Sequence, residues 1–191
     1  MAGKQSVEDT VAAVMALLAG AADADYIGEP VSQLAHALQA AAAAKRAKAS
    51  DDEVLAALLH DVGHLIAPAD HPQRSDVGVI DHERLGAAYL RERGFGQAVV
   101  AVVGAHVDAK RYLVARNASY ARTLSPASTR SLELQGGPMS LGECMAFERS
   151  PVRDPALRVR AWDEAAKVPG ATVPGIEAYR AMLAEHLRRT A

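Results

Sequence analysis

Residues 58–64 constrain this chain more than any other stretch, because an apolar run ends there in side chains that can bind a metal. His60 and Asp61 are adjacent, and His64 follows four residues after His60. In a helix, this spacing places the two imidazoles on one face and turns the carboxylate by about 100° around the axis. Adjacent ligands that point in different directions can face two metal ions, and a carboxylate can bridge them. The stretch therefore predicts a helix whose last turn carries a metal site.

The composition favours close-packed helices. The chain has 191 residues, of which 50% are hydrophobic and only 4% are aromatic, and alanine is abundant. Alanine is the strongest helix former, and a β-sandwich usually needs more aromatic and β-branched residues. This length suits one compact domain. We therefore predict an all-α fold with a single domain over residues 1–191.

Charge and cysteine content argue against several classes of protein. The net charge of -2 leaves no basic surplus for nucleic acid. The single cysteine, Cys144, excludes an intramolecular disulfide and a cysteine-rich zinc site, and it fits a reducing compartment. The sequence shows neither a signal peptide nor an apolar stretch long enough to span a membrane. We expect a cytoplasmic protein that acts on a small molecule, without nucleic acid or membrane as a partner.

Apolar periodicity predicts several helices that are separated by Gly- and Pro-rich breaks. The third of them should be capped by Asp51 or Asp52 and end near Gly63. Residues 23–30 and 66–80 should form loops, the second of which would cover the site. The other helices are expected at about residues 7–21, 31–48, from 81 onward, 97–114, 156–167 and 174–189.

Six histidine and aspartate residues fall on these helices or at their ends. Imidazole and carboxylate ligands suit iron, manganese or zinc, and the lack of thiolates argues against a structural zinc. Any one of these residues also fits a hydrogen-bonded position in the core, so the prediction depends on the complete set. The set suffices for two ions if one carboxylate bridges, and it leaves positions open for substrate and for oxygen or water. Its members are His36, His60, Asp61, His82, His106 and Asp163.

This set resembles that of the HD-domain superfamily of helical metal-dependent phosphohydrolases. Within it, the chain is most similar to the branch of diiron oxygenases that contains myo-inositol oxygenase and the phosphonate-cleaving dioxygenases. The resemblance implies a single HD-domain helical bundle with a dinuclear metal site in its core. It covers nearly the whole chain and is most specific in residues 25–30, 33–36, 58–64, 79–83, 104–113, 124–137 and 160–164.

The resemblance also implies a cofactor and a reaction. The cofactor is a mixed-valent Fe(II)/Fe(III) pair, with O2 as co-substrate. The reaction cleaves the C–P bond of a 1-hydroxy-2-aminoethylphosphonate or of its trimethylammonium analogue, and it yields glycine or glycine betaine plus phosphate. A separate hydroxylase would make this substrate. By this resemblance, one iron is held by His36, His60, Asp61 and Asp163, and the second, to which Asp61 bridges, is held by His82 and His106.

Further residues are predicted to act on the phosphonate. Lys110 lies four residues after His106, so it should project into the same pocket and meet a dianion as a point charge. His64 can donate a hydrogen bond to the same oxygens. Ser128 and Ser131, near a helix start, offer hydroxyl groups, although Ser128 also fits an ordinary N-cap. We predict that Asp61, His64 and Lys110 take part in catalysis.

The loop before the first ligand is predicted to recognise the substituent on the substrate. Glu29 lies in a Gly-Glu-Pro turn and suits pairing with an ammonium group. Tyr26 could act as a lid, offer a cation–π face, or bind iron until substrate displaces it. Gln33 could contact the substrate or orient Glu29. A primary amine fits Glu29 better, because a trimethylammonium donates no hydrogen bond, but both substrates remain open.

Two other functions compete with an oxygenase. One is an HD-type phosphohydrolase of a nucleotide or phosphomonoester, whose metal would activate water. Several features argue against it, because a mononuclear hydrolase does not require them: residues 26–30, His82, His106, Lys110 and the segment around Ser128. The other is a binding module that has lost catalysis, which the complete ligand set disfavours.

Overall fold

A computed structural model describes residues 6–22, 24–26 and 28–191 of the chain. Asp23 and Ile27, which belong to the predicted loop at residues 23–30, lie outside the described residues. The described part is a bundle of eleven α-helices, which confirms the all-α prediction. The helices are α1 (Val7–Ala19), α2 (Gln33–Arg46), α3 (Asp51–Leu59), α4 (Val62–Ile66), α5 (His82–Glu92), α6 (Gln97–Arg116), α7 (Ala118–Ala121), α8 (Pro126–Leu134), α9 (Leu141–Glu148), α10 (Arg153–Ala165) and α11 (Arg180–Thr190).

Helix α6 lies at the centre of the bundle and packs against α3, α5 and α10. Helix α2 packs against α3 and α10 from the other side. Ala40, Ala41 and Ala44 of α2 are completely buried. Because a methyl group occupies little space, these alanines let the neighbouring backbones approach closely. The abundance of alanine therefore serves to bring the helices that carry the histidines together.

Side-chain caps set several helix starts. Ser32 caps α2, since its hydroxyl accepts a hydrogen bond from the backbone N–H of Ala35. Helix α3 is capped by Ser50, which forms a capping box with Glu53, so the prediction of Asp51 or Asp52 as the cap is wrong. Ser50 is the N-cap because it stands one residue before the acidic run, where its hydroxyl reaches the third backbone N–H of the helix.

The predicted third helix is interrupted in the middle of the His-Asp pair. Helix α3 ends at Leu59, and α4 begins only at Val62. His60 keeps a helical backbone, but Asp61 leaves it, with φ of -98° and ψ of 8°. The prediction of one helix that runs to Gly63 is therefore wrong.

Residues 66–80 contain a small element of sheet within the predicted loop. Strand β1 (Arg74–Ser75) pairs antiparallel with β2 (Gly78–Val79). Near the C-terminus, a turn of 3-10 helix (Ile176–Tyr179) precedes α11, in place of the continuous helix predicted over 174–189. Among the described helices, none is both long and apolar enough to cross a membrane.

Candidate metal centre

The six predicted ligands meet in the core as two groups of three. One group is His36, His60 and Asp163, and the other is Asp61, His82 and His106. Within each group, the candidate ligand atoms lie within 4.8 Å of one another. The groups draw on α2, the break after α3, α5, α6 and α10, which are distant in sequence.

Asp61 lies between the two groups. Its Oδ2 is 3.2 Å from Nε2 of His60, and its Oδ1 is 3.2 Å from Nε2 of His82. Each oxygen of one carboxylate thus faces a different group. This is the arrangement that a bridging carboxylate between two metal ions requires.

The hydrogen bonds of the imidazoles indicate which ring nitrogens are free. In each of the four histidines, Nδ1 lies within 3.0 Å of a backbone carbonyl oxygen, so Nδ1 carries the proton and donates it. Histidine ligands commonly have this support, which leaves Nε2 as the metal-binding atom. The carbonyl groups belong to Ala166 for His36, Ala57 for His60, Val79 for His82, and Val103 for His106.

The free Nε2 atoms are crowded. Those of His36 and His60 are 3.1 Å apart, and those of His82 and His106 are 3.0 Å apart. If both rings of a pair are neutral with Nδ1 protonated, their Nε2 lone pairs face each other in a buried space, which is unfavourable unless a proton or a metal cation lies between them. Oδ2 of Asp61 and Oδ1 of Asp163 are buried and have no hydrogen-bond partner among the described residues. Together these donors fit two metal cations.

The electrostatics keep both aspartates ionised, as metal ligands must be. Burial raises the pKa of Asp61, but the neighbouring His60 and His82 outweigh this effect and hold it well below its usual range. Burial likewise opposes ionisation of Asp163, whose pKa is held well below its usual range mainly by Arg160 and by His36. Burial lowers the pKa of His60, but Asp61 and Asp163 raise it to about 9. The site therefore attracts positive charge.

Arg160, which the sequence analysis did not single out, orients Asp163. Its guanidinium group donates to Asp163 and to Glu164, and its Nε donates to the hydroxyl of Tyr120 at 2.7 Å. The arginine lies three residues before Asp163 on α10, and its side chain is almost completely buried. The i, i+3 spacing with an aspartate was a signal in the sequence that could have identified it.

His64 belongs to neither group of ligands. Its ring stacks on that of His82 with a centroid distance of 3.9 Å, and its Nδ1 accepts a hydrogen bond from the N–H of Val79 at 3.1 Å. Burial and the neighbouring His82 lower the pKa of His64 to about 3, so the ring is neutral. With Nδ1 as acceptor, the proton resides on Nε2, which is available as a donor.

A cavity of about 80 Å3 opens beside the second group of ligands. Asp61, His82, His106 and Asp163 line it. All the residues that were predicted to contact substrate line it too, together with Arg74, Gln135 and Arg160, which were not predicted. The predicted residues are Tyr26, Glu29, Gln33, His64, Lys110, Ser128 and Ser131.

Lys110 is a buried cation in the wall of this cavity. Its Nζ donates a hydrogen bond to the hydroxyl of Ser131 at 2.8 Å, and the residue is 5% exposed. Burial and the nearby Arg160 lower the pKa of Lys110 to about 7. Ser128 also lines the cavity, but it is not a helix cap, because Ser125 caps α8.

The predicted lid residue Tyr26 is packed against a ligand. Its ring stacks on that of His36 with a centroid distance of 4.0 Å and an interplanar angle of 14°. Burial and the charges of Asp61 and Asp163 raise the pKa of the Tyr26 hydroxyl well above its usual value. Gln33 donates through Nε2 to the carbonyl oxygen of Asp25 at 3.3 Å, so it braces the loop.

Glu29 pairs with an ammonium group of the protein itself. Its Oε1 is 2.9 Å from Nζ of Lys167 and accepts a hydrogen bond from the hydroxyl of Ser125 at 2.5 Å. Glu29 was predicted to pair with the ammonium group of a substrate, and in this structure its Oε1 pairs with Lys167. Lys167 lies 138 residues away along the chain, and the sequence contained no local signal for this contact.

Comparison with known proteins gives a consistent picture. The HD-domain pattern matches residues 31–144. The chain is 44% identical over 156 residues to a hydroxymethylphosphonate dioxygenase of Gimesia maris, covering 81% of this chain and 77% of that protein. It is 40% identical over 145 residues to a 1-hydroxy-2-(trimethylamino)ethylphosphonate dioxygenase of Leisingera caerulea that forms glycine betaine, covering 76% and 74% of the two chains. An uncharacterized protein of Acanthamoeba polyphaga mimivirus is 37% identical over 164 residues, covering 85% and 75%.

Proposed function

The chain belongs to the HD-domain family, in the branch of phosphonate-cleaving oxygenases, and we propose that it uses a metal pair and O2 to cleave the C–P bond of a 1-hydroxyphosphonate. One observation carries this proposal. The carboxylate of Asp61 faces both groups of ligands, beside a cavity that contains the buried cation Lys110. A metal pair next to a site for a dianion is what this reaction needs.

The proposed reaction consumes one O2 for each phosphonate. The C–P bond breaks, and the carbon and the phosphorus each end with one more oxygen. The products are a carboxylate, inorganic phosphate and one proton, so the reaction requires no electrons from another donor. Because the substrate already bears a hydroxyl group on the carbon next to phosphorus, we place the reaction after a separate hydroxylase.

Two iron ions in the Fe(II)/Fe(III) state are the cofactor that we propose. The group of His36, His60 and Asp163 would hold one ion, His82 and His106 would hold the other, and Asp61 would bridge them. When bound, such a pair supplies the electron transfer that O2 needs in order to react with a C–H bond.

The protein's own side chains bind and orient the phosphonate. Lys110 in its charged form attracts the dianion, and the hydroxyl of Ser131 holds its ammonium group in place. His64 contributes its Nε2–H, because the bond from Val79 to Nδ1 fixes the neutral tautomer. The buried position of these groups strengthens their interaction with an anion relative to water.

The substituent on the hydroxyl-bearing carbon is a separate question. The resemblance implied an aminomethyl or trimethylammoniomethyl group, with glycine or glycine betaine as product, and Glu29 favoured the primary amine. The contact with Lys167 removes that support. The named relatives differ at this position as well, since hydroxymethylphosphonate has no substituent there.

Phosphate release by iron-loaded protein tests the proposal. The protein is incubated with hydroxymethylphosphonate in air and under anaerobic conditions, and with a phosphomonoester as the substrate of the competing hydrolase. We expect phosphate from the phosphonate in air only. Release from the phosphomonoester without O2, or from the phosphonate without O2, would favour hydrolysis. The variant His106→Ala should lose the activity, because it removes a ligand from the second group.

A further inference from the structure

Glu29 is the one carboxylate among the described residues of the cavity wall that does not belong to either group of ligands. A substrate ammonium would need an uncompensated negative charge at this place. Glu29 is not uncompensated, because Lys167 lies 2.9 Å from its Oε1. The side chains of both residues are largely buried, with exposed fractions of 9% and 13%.

Lys167 is held in place by several contacts. Its Nζ donates to Glu29, to the hydroxyl of Ser128 at 3.1 Å, and to Oε1 of Glu164 at 3.2 Å. An ammonium group has three hydrogens, and three acceptors surround this one. Lys167 is therefore fixed rather than free to swing away when a substrate enters.

The charges in this part of the site form an alternating chain. Glu29 is followed by Lys167, Glu164 and Arg160, and the chain ends at Asp163. The two glutamates are balanced by the lysine and the arginine, and the charge of Asp163 is left for the metal. A second ammonium group beside Glu29 would therefore meet the positive charge of Lys167 without a carboxylate of its own.

The cavity also offers little to a trimethylammonium group. Tyr26 is the single Tyr, Phe or Trp among the described residues that line it, and its ring is stacked on His36. Quaternary ammonium groups are usually held by several aromatic faces.

We propose that Lys167 is a specificity-determining residue, which occupies Glu29 and so excludes hydroxyphosphonates that carry a positive charge next to the hydroxyl-bearing carbon. The substrate is then a 1-hydroxyphosphonate whose substituent is uncharged and small. This inference rests on the proposed function, since it concerns the same cavity.

A pair of isosteric phosphonates tests this inference. 2-Amino-1-hydroxyethylphosphonate and 1-hydroxypropylphosphonate have the same shape, but the first carries an ammonium group where the second carries a methyl group. We expect wild-type kcat/KM to favour the uncharged compound by about tenfold or more, chiefly through KM. In Lys167→Met, which frees Glu29, the ratio should shift toward the amine by about tenfold or more.

Controls separate the possible failures. Lys48→Met removes an exposed lysine far from the cavity and should leave the ratio unchanged. Lys167→Gln is a second variant, which retains a hydrogen-bond donor and is used if the methionine variant does not fold.

Anaerobic dissociation constants of both phosphonates on metal-loaded protein are measured by calorimetry alongside activity. If no phosphonate releases phosphate, the proposed function fails, and the ratio of dissociation constants still tests Lys167. A wild-type preference for the amine, or an unchanged ratio in both Lys167 variants, would overturn the inference.

Discussion

Gly63 lies so close to His82 that no other residue fits in its place. A Cβ atom on Gly63 would be 1.9 Å from the carbonyl oxygen of His82, and real Cβ atoms do not approach backbone this closely. Since α4 and α5 meet here, this contact sets the position of His82 relative to Asp61. The glycine therefore serves the metal site as well as the packing.

Gly63→Ala should destabilise the fold and disturb the second group of ligands. Overpacking of this kind typically costs about 1–3 kcal/mol, and a contact with backbone cannot be relieved by a side-chain rotation. Urea unfolding and metal content measure the two effects. Gly142→Ala is the matched control, because a Cβ there meets nothing within 4 Å, and alanine should stabilise α9 by up to about 1 kcal/mol. An alanine variant at Gly63 with normal stability and metal content would contradict this assignment.

Asp61→Asn should reduce the metal content from two ions per chain to one or fewer. The substitution removes the negative charge of the carboxylate, whose two oxygens face the two groups of ligands. Elemental analysis of the purified protein measures the loss. Asp52→Asn makes the same chemical change far from the site and should keep both ions.

Removal of the metal from wild-type protein should lower its Tm. The donor atoms within each group lie close enough together to share one ion, and an ion that binds only the folded state stabilises it. Unfolding is followed by differential scanning calorimetry with and without a chelator. A Tm that does not change on chelation would argue against a metal in this core.

The activity should depend on pH through Lys110. Its pKa of about 7, which results from burial and from Arg160, means that the amine is charged below this pH and neutral above it. Since the charged form attracts the phosphonate, kcat/KM should fall as the pH rises through about 7. In Lys110→Arg the side chain keeps its charge over this range. If the variant is active, its kcat/KM should therefore not fall as the pH rises through about 7. A decline of the same size in the arginine variant would assign it to another group.

Asp52 should stabilise the fold at neutral pH. Its Oδ1 accepts hydrogen bonds from Nδ1 of His186 at 2.8 Å and from Arg189 at 2.6 Å. Burial raises the pKa of Asp52, but these two partners outweigh it and lower the pKa. A carboxylate whose pKa is lower in the folded state stabilises the fold at pH values above its pKa in the unfolded chain, which is about 3.9. This contribution is lost as the pH falls through the pKa of the folded state.

The variant Asp52→Asn should therefore lower the free energy of unfolding by about 1–2 kcal/mol at pH 7. The difference from wild type should shrink as the pH falls below about 4. Urea unfolding at pH 7 and pH 3 measures both. An equal difference at the two pH values would contradict this role for the carboxylate.

The sequence predicted which residues form the candidate metal site better than it predicted their surroundings. His36, His60, His82 and His106 were singled out as members of one set on helices or at their ends, and the structure brings all four together. The break at Asp61 was missed, because residues 58–64 look helical locally. Just after the break, Gly63 lies against the backbone of His82, a tertiary contact that no local pattern reveals.

Long-range ion pairs were the other feature that the sequence did not reveal. Glu29 was interpreted as a carboxylate on a Gly-Glu-Pro turn that could pair with the ammonium group of a substrate. Lys167 comes from the segment after α10 and reaches Glu29 only because α2 and α10 pack together. A local pattern contains no information on such a pair.

The stoichiometry of O2 and phosphate tests the central claim most directly. Iron-loaded protein is supplied with hydroxymethylphosphonate in a sealed cell, with an oxygen electrode and a phosphate assay on the same sample. We predict that one O2 disappears for each phosphate released, and that release stops when O2 is exhausted. Phosphate that continues to appear after O2 is gone would contradict oxidative cleavage.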